Sequence, residues 1–149
     1  MDMNRQVSRR LHEDHEATLA LWNRFAQAAG ARTWPPETDL LRRCASALAE
    51  EISHHFAFEE NELFPRLAEA GEGDIAELLA EEHTVIRAAA QSFSAALEAQ
   101  QWQPLRTAGL ELCERLAAHV QKEEMSLLPA IDDLLDEDTD AQLALAYAG

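Results

Sequence analysis

The sequence predicts an all-α fold, an antiparallel up-and-down four-helix bundle with a short C-terminal helix, and three observations carry that reading. Only five Gly and five Pro occur in 149 residues, while Ala, Leu and Glu recur throughout, a composition that favours helix. Four long stretches carry apolar residues at three- and four-residue spacing and are separated by short connectors containing Gly or Pro. The chain also repeats itself. His55-Phe-Ala-Phe-Glu59-Glu-Asn-Glu-Leu-Phe-Pro65 and His119-Val-Gln-Lys-Glu123-Glu-Met-Ser-Leu-Leu-Pro129 share His, both Glu, Leu and Pro at identical offsets.

The first helix is predicted from about Ser8 to Ala29, with Gly30 as its stop. Its apolar stripe is Leu11, Leu19, Trp22, Phe25 and Ala26, and His15 falls inside that stripe. Trp34-Pro35-Pro36 cannot be helical throughout and reads as a connector. The second helix begins near Thr38 or Asp39 as N-cap and runs to about Ala70, where Gly71 and Gly73 end it. Its stripe is Leu41, Ala45, Leu48, Ile52, His55, Glu59 and Leu63, so a histidine and a glutamate stand where leucines would ordinarily stand.

The third helix starts after Asp74 and reaches about Gln100, with Leu79, His83, Ile86, Ala90, Phe93 and Leu97 as its stripe. The fourth runs from roughly Pro104 to Leu135 with Leu112, Leu116, His119, Glu123, Leu127 and Ile131 inward. Pro65 and Pro129 are expected to kink or break their helices. After Asp136-Glu-Asp-Thr-Asp140, the apolar tail Leu143 to Ala148 reads as a short fifth helix packed on the bundle.

The length suits one domain over residues 1–149 with a sizeable core. A net charge of −16 argues against nucleic acid and against an anionic membrane surface, because both need clustered Lys and Arg. Met1 to Glu16 contains no apolar run of the signal-peptide kind, and no stretch is long enough to span a bilayer. Cys44 and Cys113 fit no metal or redox spacing and read as reduced, mostly buried thiols of a cytoplasmic protein.

In each copy of the repeat the first Glu follows the His by little more than one helical turn, so imidazole and carboxylate share a face. His55 with Glu59, and His119 with Glu123, each form half of a metal site. Glu13-Asp14-His15 and Glu81-Glu82-His83 add one inward histidine from each remaining helix. A lone histidine in an apolar stripe is ordinarily a core residue with a hydrogen-bond partner. Four of them on four helices, two followed by an inward glutamate, are not explained that way, since a buried unpaired carboxylate is costly. Imidazole with carboxylate and no thiolate suits iron, manganese or zinc.

Ferritin-like di-iron bundles use Glu-x-x-His on two helices. Here only Glu51-Ile-Ser-His54 has that spacing, without a counterpart, and that reading is set aside. His12, three residues before His15, is either a group behind the ligands or, the preferred reading, exposed or partly exposed, and His54 turns away from His55 by about 100°. Glu60 and Glu124 read as acids flanking the site, and Glu62 as a weak extra ligand candidate.

The set His15, His55-x-x-x-Glu59, His83 and His119-x-x-x-Glu123 resembles the hemerythrin-like, or HHE cation-binding, family from about Arg10 to Ile131. The resemblance implies a four-helix bundle around two non-heme irons bridged by oxygen and carboxylate. His15, His55, His83 and His119 would be nitrogen ligands, with Glu59 and Glu123 bridging. The oxygen-carrying members have a further histidine one turn after the third-helix ligand, where this chain has Arg87. Arg87 cannot ligate, and its guanidinium is expected to seek a carboxylate or solvent. The resulting four-histidine set looks like that of di-iron proteins implicated in repairing nitrosatively damaged iron centres, which usually carry an additional cysteine-containing N-terminal domain. Such a set implies one open position on each iron. The expected function is binding of, or reaction with, oxygen, nitric oxide or peroxide. The alternatives are iron sensing, storage or delivery, including iron-centre repair, without oxidant turnover, and a helical interaction module with a structural metal.

Overall fold

Among the residues the computed structural model describes, 3–149, the chain is helical with no strand; Met1 and Asp2 lie outside the described residues. Helix α1 (Gln6–Ala29) begins two residues earlier than the sequence suggests. The reason lies at the other end of the chain. The backbone N–H groups of Asn4 and Arg5 donate to Asp132, and those of Gln6 and Val7 donate to the buried Asp140. These carboxylates satisfy N–H groups that a helix start leaves without partners, and they lie at the positive end of its dipole.

The second rod is not one regular helix. It comprises α2 (Thr38–Glu50), two π-helical segments (Glu51–Phe56 and Glu59–Leu63) and α3 (Phe64–Glu69). Helix α4 (Gly73–Glu98) forms the third rod. The fourth comprises α5 (Trp102–Lys122), a π-helical segment (Glu123–Leu127) and α6 (Leu128–Leu134). In both interrupted rods the N–H of the residue before proline bonds back five residues, Phe64 to the Glu59 carbonyl and Leu128 to the Glu123 carbonyl. The widened turn accommodates a proline ring that would otherwise press on the carbonyl four residues back. The expected kinks at Pro65 and Pro129 are thus π turns placed at the two inward glutamates. Helix α7 (Glu137–Ala148) is longer than the predicted tail because Asp136 caps it, accepting from the Thr139 N–H at 2.7 Å.

The first rod packs on the second and fourth, and the third packs on the same two, so contacts run around all four; α7 lies along α1. Two apolar layers fill the interior. One contains Trp22, Phe25, Leu41, Leu48, Phe93 and Leu112. The other contains Leu11, Leu63, Leu67, Leu79, Leu127 and Ile131. On each rod the candidate ligands fall between residues of the two layers, as His15 does between Leu11 and Trp22. Successive rods cross the layers in opposite order. The stripe predictions hold at most positions, although Cys44 rather than Ala45, and Ala29 rather than Ala26, are the fully buried members. Burial pushes the thiols of Cys44 and Cys113 up to about 11, and both cysteines are free. No helix among the described residues is long and apolar enough to cross a membrane.

At Gly109 α5 approaches α1 closely, because a Cβ there would run into the buried Phe25 ring. Gly109→Ala should therefore destabilise the protein by about 1–3 kcal/mol through overpacking, although alanine is the better helix former. Urea denaturation of wild type beside the variant measures this; an unchanged or raised midpoint would mean that α1 and α5 are not packed this closely.

Candidate metal centre

The six residues singled out from the sequence meet in one place. They form two overlapping groups, His15, His55, Glu59 and Glu123, and Glu59, His83, His119 and Glu123, all buried, with candidate donor atoms in each group within 4.8 Å of one another. The two glutamates belong to both groups. Glu59 directs Oε2 to His55 Nε2 and Oε1 to His83 Nε2, each at 3.0 Å. Glu123 directs Oε1 to His15 Nε2 at 2.8 Å and Oε2 to His119 Nε2 at 3.1 Å. Each carboxylate therefore gives one oxygen to each pair of imidazoles.

Several of these atoms have no conventional partner. Glu59 Oε1 with His83 Nε2, and Glu123 Oε2 with His119 Nε2, are fully buried and face each other at 3.0 and 3.1 Å, but without hydrogen-bond geometry. Polar atoms left this way cost free energy unless something else satisfies them. Lone pairs of nitrogen and carboxylate oxygen converging on one point are the donor set of a metal ion. The residues present fit metal binding, in two overlapping donor groups.

The far side of each imidazole is also held. His15 Nδ1 lies 2.7 Å from Glu124, His83 Nδ1 2.7 Å from Glu60, and His119 Nδ1 2.8 Å from Glu82. His55 Nδ1 has Glu51 at 3.1 Å, Asp14 at 3.5 Å and the Tyr147 hydroxyl at 3.2 Å. An Nδ1–H donating to a carboxylate fixes the tautomer that leaves the Nε2 lone pair inward, and raises its basicity. Of these outer groups, the sequence reading picked out only Glu60 and Glu124. It missed Asp14, Glu51, Glu82 and Tyr147. For Asp14 and Glu82 a signal existed, since each stands immediately before an inward histidine.

The remaining candidates separate cleanly. His12 is half-exposed and pairs with Glu124 at 2.6 Å and with Glu16. His54 leaves the centre and stacks on Tyr147, with ring centroids 4.3 Å apart. Glu62 pairs with Arg66 at the surface. Arg87 finds the carboxylate expected of it, clamping both oxygens of Glu60 at 2.8 Å. Phe56 lies flat on the His83 ring at 3.8 Å and Phe64 flanks it, closing that side with apolar surface.

Without metal this cluster is a set of charge pairs. Burial alone would push the imidazole of His83 down, but Glu123, Glu59 and Glu60 outweigh it and carry the pKa to about 9. His15, His55 and His119 are raised for the same reason. Burial would raise the Glu123 carboxyl, yet the surrounding histidines hold it well below the usual range. Raised histidines stabilise the fold fully below their unfolded value near 6.5, and that contribution is lost as pH rises through the folded values, about 9 for His83. The metal-free protein should thus melt at falling temperature as pH is taken from about 6.5 to 9. The metal-loaded protein, whose imidazoles no longer carry the Nε2 proton, should be nearly flat over that window and should release protons on loading. Thermal scans of both forms across this range check it; parallel curves would show that these histidines do not titrate with the site.

The family model of the hemerythrin HHE cation-binding domain matches residues 74–145. The match contains His83, His119 and Glu123, while His15, His55 and Glu59 precede it and join them in space. No curated protein and no solved structure matches the chain.

Proposed function

We propose that this chain, whose residues 74–145 carry a hemerythrin HHE cation-binding domain, is a non-heme di-iron protein that binds or reacts with oxygen, nitric oxide or peroxide. The observation supporting this most directly is that both buried carboxylates offer one oxygen to each histidine pair. In this reading His15 and His55 hold one iron, His83 and His119 the other, and Glu59 and Glu123 bridge them within one domain over residues 1–149. The four rods then form an antiparallel up-and-down bundle with α7 as a C-terminal addition, which the alternating passage through the two apolar layers supports.

A pair of irons with a bridging oxygen would supply redox change and open positions for a small ligand. The chain's own residues do the rest. The outer carboxylates keep each imidazole in the ligating tautomer, and Phe56 and Phe64 keep bulk water from His83. Arg87 is committed to Glu60 and takes no place among the ligands. A cleft between α1 and α2 is lined by Thr18, Leu21 and Leu48 and reaches Asp14 and Glu51, beside His55. We read it as the approach for a diatomic or peroxide, in a cytoplasmic protein whose free thiols stay reduced. The acidity of the chain, net −16, favours a second reading, iron sensing, storage or delivery.

The test is to load the protein anaerobically with ferrous iron and record visible spectra on adding oxygen, nitric oxide or peroxide. Distinct ligand-dependent absorption with iron retained is the expected result. Iron that passes to a chelator without any such spectrum would favour storage or delivery, and a redox-silent bound metal would overturn both readings.

A further inference from the structure

The repeat makes the two halves of the centre alike in ligand type, but the groups behind them differ in charge. In the His83–His119 half each outer carboxylate is paired with a fixed cation. Arg87 holds Glu60 through two bonds at 2.8 Å, and Lys122 Nζ contacts Glu82. In the His15–His55 half, Glu124 meets His12, Asp14 meets the Tyr147 hydroxyl, and Glu51 meets Thr18. Among the described residues no lysine or arginine forms an ion pair with Asp14, Glu51 or Glu124. Arg10 lies over the Tyr147 ring at 5.9 Å and acts on Asp14 through space. Arg24 and Arg43 line the same cleft as Asp14 and Glu51 without forming an ion pair with either.

The difference is written in the repeat itself. Four residues after His15 stands Leu19, and four after His83 stands Arg87; before Glu59 stands Phe58, and before Glu123 stands Lys122. Both departures place a positive charge in the second half and an apolar side chain in the first. Each affected carboxylate is partly buried and one imidazole away from a candidate ion, so its charge is screened less than one at the open surface. The Arg87 and Lys122 side chains are themselves part-exposed.

Resting on the di-iron reading, we propose that this asymmetry makes the two metal positions inequivalent. The His15–His55 half favours the more highly charged ferric ion, and the His83–His119 half favours the ferrous one. Arg87 and Lys122 are then positioning residues for redox order, acting through Glu60 and Glu82 rather than touching the metal. The first electron given to an oxidant leaves from the His15–His55 side. Each step passes one electron from ferrous iron to a one-electron acceptor and requires no proton from these side chains.

The experiment is a mediated redox titration of the anaerobically loaded protein with a ferricyanide-class oxidant. It is followed by electron paramagnetic resonance, with iron per chain measured on the same samples. Wild type should bind two irons and oxidise in two separated one-electron steps. Arg87→Gln removes a cation from the second half, so its later step should move down and the gap should narrow. Glu124→Gln removes a carboxylate charge from the first half, so its earlier step should move up, and the gap should narrow again. Arg10→Gln should move the earlier step down and widen the gap. Each change should alter the comproportionation constant by about tenfold or more.

A charge effect spread evenly over the centre would instead shift both steps together and leave the gap unchanged in every variant, which would overturn the proposal. So would a single unresolved step in wild type holding two irons. Should Arg87→Gln fail to retain iron, the opposite signs expected for Glu124→Gln and Arg10→Gln still decide the matter. One iron or none in wild type would overturn the di-iron reading and this inference with it, a result distinct from two irons at equal potential.

Discussion

Two carboxylates with no solvent exposure, Glu59 and Glu123, stand at the middle of the core, and the rest of the structure answers to them. A buried carboxylate is tolerated only with opposing charge or hydrogen bonds in good geometry. Here four imidazoles supply that, two to each glutamate. Each imidazole in turn needs a partner for its other nitrogen, and an outer ring of acids supplies it. The result is a polar layer of fixed composition, and it determines which helix faces can point inward.

That layer also explains how the apolar residues are distributed. They cannot form one continuous core, so they divide into a layer around Trp22, Phe25 and Phe93 and another around Leu11, Leu63 and Leu127. The two layers hold the rods in register on both sides of the centre, and α7 closes the second layer through Leu143 and Tyr147. Tyr147 connects packing to chemistry, since one side chain fills apolar space and also bonds Asp14 and His55. The tie between Asp132, Asp140 and the start of α1 keeps that C-terminal helix in place.

The inward clustering of these side chains was legible in the sequence because helical periodicity projects His55 with Glu59, and His119 with Glu123, and because the repeat states the pattern twice. His15 and His83 were legible only as exceptions within apolar stripes. The outer carboxylates were harder to read, since Glu82 reaches a histidine of another rod and only the folded chain brings them together. Glu51 carries a spacing signal of its own, four residues before His55 and so on the same helix face. The π turns were not legible, because a proline announces a disturbance without saying whether the helix bends, ends or widens. The inward placement of the two glutamates survived this uncertainty, as both sit at the start of such a turn.

The central claim is that Glu59 and Glu123 are each shared by two metal ions. The most direct measurement is metal per chain by elemental analysis after anaerobic iron loading, comparing wild type with Glu59→Ala and Glu123→Ala at matched helix content. Sharing predicts two irons in wild type and a joint loss in either variant, to well below one, because each substitution removes an oxygen from both positions. A folded variant that keeps one full iron, with only the other lost, would contradict it.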